Sequence, residues 1–330
     1  MPDIEYKMMN QRPHAQTLSH LLEIEGCILT EGAVVERIRR SGTTCLDPVL
    51  VHAPFVYTAE GRRTLTALHN QYFAIGRRYD IPMLTLTDTW RANAERLAAS
   101  PLRGKDVNGD CVRFLREIAQ GHGPYAGKIL LGGLIGCKGD AYRPEQALSE
   151  QEARSFHAFQ VDALAAAGVD FLFASTMPAL PEAAGVAAAM ASSGMPYVIS
   201  FVLNRAGAIL DNTPLGNAIA FIDGQVSTPP LFYMANCCHP TYYRAGMKRI
   251  ADRDPGMLQR IIGLQANTSA KDAQERDALA FLDSEAPDVF ADAMMSIHDD
   301  FGARVLGDCC GSDDRHIAAI AKRICTRAKN

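Results

Sequence analysis

The sequence predicts an α/β protein, a (β/α)8 TIM barrel in a single domain, and three observations carry that expectation. Eight short apolar, β-branched runs recur almost from end to end of the 330 residues. Between them lie amphipathic stretches long enough to carry the chain from one parallel strand to the next. The length suffices, because eight βα units need about 250 residues plus insertions. No Ser/Gly-rich linker divides the chain. Periodicity by itself does not separate a barrel from an open doubly wound sheet.

The expected strands are 27–30, 83–87, 128–134, 170–173, 197–201, 231–235, 260–264 and 304–306. A ninth short run, 49–51, has Pro48 and Pro54 on either side and reads as an irregular part of the first crossover. The helix before the fourth strand is the most legible. Ser149 with Glu152 forms a capping box. Phe156, Phe159 and Leu164 mark its expected buried face, and Gly168 stands where a helix stops. Residues 1–24 read as an N-terminal extension and 25–330 as the barrel.

Composition excludes several classes. Apolar residues are 48% and charged residues 21%, which is too apolar for a disordered chain. A net charge of -4 gives no basic surface for nucleic acid or anionic lipid. No run of roughly 18 apolar residues would span a membrane. The N-terminus MPDIEYKMMNQRPHAQ lacks the apolar core of a secretory signal. A cytoplasmic protein is the expectation. Its nine cysteines, an odd number, read as reduced thiols rather than a disulfide framework.

Two cysteine pairs are adjacent, Cys237–Cys238 and Cys309–Cys310. Cys237 follows the sixth expected strand, and Cys309 and Cys310 follow the eighth. In a barrel the C-terminal ends of all strands open on one face, so three thiols distant in sequence would meet there. Three thiolates suit zinc and leave a fourth position open, the pattern of a catalytic rather than a structural site. Ser312 reads as the N-cap of a helix whose face is Ile317, Ile320 and Ile324, with its positive end toward the thiolates. Two plainer readings stand beside this one. Cysteines are often small core residues, and Cys238 or His239 would close a purely structural site.

Other signals are bland. Gly132, Gly133 and Gly136 have the wrong spacing for a dinucleotide fingerprint. His14, His20, His52, His69, His122 and His157 lack ligand spacing and read as surface or core histidines. Cys137 reads as a bystander, and Asp299, Asp300, Asp313 and Asp314 as solvated or first-turn charge.

The cysteine pattern resembles the homocysteine S-methyltransferase family of zinc-dependent barrels, over about residues 27–324. Gly307-Asp308-Cys309-Cys310-Gly311 is similar to that family's Gly-Gly-Cys-Cys-Gly, and His316-Ile317 follows as it does there. Asn236-Cys237 is similar to the Asn-Cys that carries the first zinc ligand. Weaker matches are 149–172, Ser175-Thr176-Met177-Pro178, Thr87-Asp88-Thr89-Trp90 and Asn267. The resemblance implies Cys237, Cys309 and Cys310 as zinc ligands, with Cys238 outside the trio.

It also implies methyl transfer to a thiol from an onium donor: S-methylmethionine, S-adenosylmethionine or betaine. Homocysteine, giving methionine, is the implied acceptor. Methyltetrahydrofolate is not expected, since one barrel uses up the chain. Glu31-Gly32-Ala33 stands where the family has Asp-Gly-Gly, so Glu31 keeps a carboxylate one methylene longer. Ser175 stands where many members carry a glutamate for the substrate ammonium, which points to a different thiol or selenol as a second acceptor class. Trp90 offers an indole face for an onium methyl donor or plain packing, and Asn236 and Asn267 are expected to orient substrate or the thiolates or to cap loops. The remaining alternatives are a zinc hydrolase or demethylase, for which three thiolates make a poor water activator, and a noncatalytic zinc protein.

Overall fold

Strand β1 (Ile28–Thr30) pairs in parallel with β2 (Met83–Leu86) on one side and with β8 (Val305–Asp308) on the other. Between them β3 (Ile129–Gly136), β4 (Phe171–Met177), β5 (Tyr197–Phe201), β6 (Phe232–Cys238) and β7 (Ile261–Ala266) each pair with the next. The sheet is therefore closed, and the open alternative falls away. The computed structural model describes residues 14–42, 44–271, 275 and 283–327.

Helices cross over between the strands: α3 (Ala59–Tyr79), α5 (Val107–Gln120), α6 (Glu150–Ala166), α7 (Leu180–Ser192), α8 (Leu215–Gln225), α9 (Pro240–Arg253) and α10 (Pro287–Phe301). Short helices α2 (Val35–Ser41) and α4 (Ala94–Ala98) sit after β1 and β2, and α11 (Asp314–Arg327) follows β8. Helix α1 (His14–Glu25) precedes β1.

The apolar residues form two bodies. The larger lies between barrel and helices. The smaller fills the lumen, with Ile28, Leu84, Leu130, Phe171, Phe173, Val198, Phe232, Ile262 and Val305 drawn from all eight strands. Leu18, Leu21 and Leu22 of α1 complete it from below. Burying each such side chain stabilises the fold by about 1.5–3 kcal/mol. The lower end of the barrel is thus packed shut and the site is confined to the upper end.

All eight expected strands form. Five of them (β3, β4, β6, β7 and β8) run two to four residues further than the apolar pattern indicates. Their extra residues include Ser175, Thr176, Asn236, Cys237, Gln265 and Asp308, which interrupt an apolar run without interrupting the ladder. Residues 49–51 stay irregular, with Val51 at φ +62° in a single bridge to Asp47.

Helix α6 has the capping box, and Gly168 follows it at φ +80°. Its buried face differs from expectation: Phe159 is 46% exposed and Phe156 half-buried, while Ala153, His157, Gln160, Val161 and Leu164 face inward. His157 and Gln160 are tolerated inside because both have partners. The His157 ring lies 3.1 Å from Glu182, and Gln160 Nε2 donates to the Thr89 carbonyl at 2.7 Å.

Candidate functional site

Strands β4 and β6 each carry a bulge near the upper end, between Ala174 and Met177 and between Asn236 and Cys238. At these bulges Thr176 and Cys237 adopt φ of +58° and +54°. A non-glycine residue pays about 1–3 kcal/mol for such backbone unless its surroundings impose it. Asn236 holds the backbone of the first and touches the sulfur of the second. Its Oδ1 accepts from the Thr176 amide at 3.0 Å and from Ser200 Oγ at 2.8 Å. Its Nδ2 lies 3.0 Å from Ser175 Oγ and 3.4 Å from Cys237 Sγ. The bulge turns the Cys237 sulfur toward the segment that follows β8.

That segment is held as firmly. The Cys309 amide donates to the Ala266 carbonyl at 2.7 Å. Asn267 clamps both cysteine stretches: its Nδ2 donates to the Cys237 carbonyl at 2.7 Å and its Oδ1 accepts from the Cys310 amide at 3.0 Å. Ser312 is not the helix cap. Helix α11 starts two residues later, Asp313 Oδ1 accepts from the Arg315 amide, and Ser312 Oγ donates to the Cys309 carbonyl at 2.8 Å. The hydroxyl is spent on the cysteine turn, and the cap passes to the next side chain.

The result is a sulfur triangle. Cys237, Cys309 and Cys310 have all their sulfurs within 4.8 Å of one another, with Cys309 and Cys310 3.9 Å apart. Tetrahedral sites with metal–sulfur bonds near 2.3 Å require sulfurs roughly 3.8 Å apart, so this donor set fits zinc. Among the described residues this is the only cluster of metal-ligating side chains with that closeness. Hydrogen bonds with Cys237 and Cys310, and then burial, push the Cys309 thiol well above its ordinary value. This crowding favours the protonated form of Cys309, and a divalent cation at the triangle would reverse that preference.

The neighbours are not ligand-like. Cys238 points into the helix-side core, and burial pushes its thiol up to about 12. His239 has Nδ1 2.8 Å from Thr241 Oγ1 and Nε2 3.2 Å from Glu285, and it caps α9. Cys137 is buried, with its thiol 3.4 Å from the Gly139 carbonyl.

The triangle borders a cavity of about 270 Å³ lined also by Glu31, Gly32, Trp90, Ser175, Asn236, Gln265 and Asp308. A second cavity, of about 500 Å³, meets it at Cys237 and Tyr142 and includes Asn267. Gly32 is required by crowding, since a Cβ there would sit 2.9 Å from the Tyr72 hydroxyl and 3.1 Å from Ser312 Oγ. Gly136 is likewise required, because its missing Cβ would collide with the Trp90 indole. Trp90 lines the cavity, but its ring already carries the Arg91 guanidinium 4.2 Å from its centroid.

Glu31 belongs to a buried ionisable chain. Its carboxylate accepts from Thr85 Oγ1 and from the Leu86 amide, the latter at 3.0 Å, and lies 3.9 Å from His69. His69 lies 3.5 Å and His52 3.2 Å from Asp88. Burial pushes Glu31 up to about 7, partly opposed by His69. Burial would also raise Asp88, but the two histidines overcome it and hold Asp88 well below the usual range. Burial opposes charging His69, yet Asp88 and then Glu31 prevail and raise it.

The sequence points to Glu31 at the mouth and to His52 and His69 as surface or core histidines; both are core residues paired with Asp88, and Asp308 has no role in that expectation. Asp308 is 2% exposed, and burial and then the charge of Asp313 push its carboxyl well above the carboxylate range. The available signal was an aspartate inside the cysteine motif where the similar family has glycine.

A closed (β/α)8 barrel whose strand ends gather three thiols around an open cavity has the architecture of a barrel enzyme built to bind thiol or metal. The sequence comparisons then give the family. Residues 28–324 match the family model for homocysteine S-methyltransferase, and the chain belongs to that family of methyltransferases. It is 24% identical over 326 residues to the homocysteine S-methyltransferase of Escherichia coli, covering 93% of this chain and 98% of that protein. Homocysteine S-methyltransferase YbgG of Bacillus subtilis is 25% identical over 229 residues, 62% of this chain and 68% of that one. The crystal structure of the E. coli homocysteine methyltransferase MmuM in its metallated form superposes with a TM-score of 0.74 at 21% identity, covering 93% and 99% of the two chains. Among the described residues no helix is long and apolar enough to cross a membrane.

Proposed function

We propose that this chain transfers a methyl group from a small onium donor to a thiol, with zinc held by Cys237, Cys309 and Cys310. The observation that carries the reading is the sulfur triangle at the edge of an open cavity. Zinc bound there would supply the positive charge that keeps an incoming thiol ionised at neutral pH. In the reaction a carbon–sulfur bond forms to the acceptor, the donor's bond to its methyl breaks with the electron pair, and the thiol proton is released. Homocysteine, giving methionine, is the acceptor that family membership favours. S-methylmethionine, S-adenosylmethionine and betaine are the donors of the required chemistry.

The chain's own part is positioning. Asn236 and Asn267 fix the backbone that carries the sulfurs, and Gly32 leaves room beside Tyr72. Glu31 presents a carboxyl that titrates near neutrality at the cavity wall. Trp90 contributes an aromatic wall, with the Arg91 guanidinium over one face of the ring. Ser175 is neutral and bonded to Asn236, which supports a second reading in which the acceptor is another small thiol or selenol.

X-ray absorption on the zinc-loaded protein tests this. Adding homocysteine is expected to raise the sulfur coordination from three to four, and Cys309→Ala to lose both zinc and methyl transfer. An unchanged coordination sphere on adding any thiol, or methyl transfer surviving in the variant, overturns the proposal.

A further inference from the structure

Asp308 closes β8 immediately before Cys309 and shares the wall of the first cavity with Glu31, whose carbonyl accepts its amide at 3.4 Å. It is unlike the other deeply buried carboxylates. Glu31 accepts from Thr85 and the Leu86 amide. Asp88 faces His52 and His69. Glu182 accepts from the Lys138 and Leu148 amides and faces His157. Among the described residues neither oxygen of Asp308 has a hydrogen-bond partner. A buried carboxyl whose two oxygens find no hydrogen-bond partner is costly in either protonation state, so its retention beside a ligand cavity asks what pairs with it.

The chemistry narrows the answer. Two open acceptor oxygens call for N–H donors, and a positive charge among them doubles the strength of each bond. A sulfonium or a quaternary ammonium has charge but no N–H at the charged centre, whereas a primary ammonium has three. Elsewhere on the same cavity wall, Ser175 and Asn236 satisfy one another and bring no charge. We infer that Asp308 determines acceptor specificity by receiving the primary ammonium group of an amino thiol. This rests on the thiol-binding reading above and adds to it the residue that selects an amino thiol over its des-amino counterpart.

Binding of homocysteine and of its des-amino analogue, the same mercapto acid with hydrogen in place of the amino group, is compared by titration calorimetry on the zinc-loaded protein. Wild type is expected to prefer homocysteine. Asp308→Asn and Asp308→Gly, the latter matching the glycine of the similar motif, are each expected to weaken homocysteine by about ten- to a hundred-fold and the analogue by no more than about two-fold. Zinc stoichiometry and thermal melting identify which variants are folded, and the discrimination is read on those. Equal losses for both thiols, or no loss for either, would overturn the assignment and leave Asp308 a structural carboxyl. Wild type that binds neither thiol would instead overturn the thiol-binding reading itself.

Discussion

At the lower end of the barrel every strand contributes an apolar side chain to one lumen cluster, and α1 adds Leu18, Leu21 and Leu22 beneath it. At the upper end the strands carry two bulges, two non-glycine residues at positive φ and a set of buried carboxylates, histidines and thiols. The lower end follows simple rules, with apolar side chains alternating between lumen and helices. The upper end departs from each rule where a sulfur or a carboxylate has to be aimed. The contrast teaches that stability and chemistry are separated along the barrel axis. A lower half packed with apolar side chains supports the strained backbone at the mouth.

Substitutions can break this separation if it is wrong. Phe171→Ala, in the lumen and edge-on to Phe173, is expected to cost about 3–5 kcal/mol of stability in denaturant unfolding. The zinc affinity of the folded fraction is expected to stay unchanged, and a parallel loss would show that the halves are coupled. Asn236→Ala reverses the pattern. It frees the β4 bulge, removes the contact to the Cys237 sulfur and is expected to lower zinc affinity or turnover by about 10–100-fold. Its stability cost should be only about 1–3 kcal/mol, because the removed groups leave a few polar partners unpaired.

The finest test uses pH. Burial pushes Glu31 up to about 7 in the folded chain, above its ordinary 4.5, so the folded state holds an extra proton between those values. This group therefore contributes stability below about pH 4.5 that is lost as pH rises through 7. Glu31→Gln is expected to flatten that fall, gaining on wild type from acid to neutral pH by no more than about 3 kcal/mol in melts across the range. A gap between the two proteins that does not change with pH would place the titration elsewhere in the chain of Glu31, His69, Asp88 and His52.

Much of the barrel and part of the mouth were legible from the residues alone. The eight apolar runs, the capping box at Ser149 and the stop at Gly168 are local patterns that burial and backbone preference impose directly. The adjacent cysteines also pointed to a cluster at the strand ends: three of the four form the sulfur triangle, while Cys238 joins the core. Less was visible where polar residues stand in strands. Ser175, Asn236 and Asp308 broke the apolar pattern, so the strands read short. Phe159 read as buried because it is apolar, yet His157 and Gln160 took the inner face once Glu182 and Asn108 gave them partners.

What the order of residues determined was the set of elements, their parallel succession and the three sulfurs at the ends of two of them, since these depend on periodicity and short-range preference. Only the folded chain decided that β4 and β6 would bulge and that Asn236 and Asn267 would lock the sulfur-bearing backbone. It alone decided that His52 and His69 would meet Asp88 and that Asp308 would be left without a donor. Those outcomes depend on hydrogen bonds between residues tens to hundreds of positions apart. A bond of that kind exists only when closure of the barrel sets its two ends about 3 Å from each other.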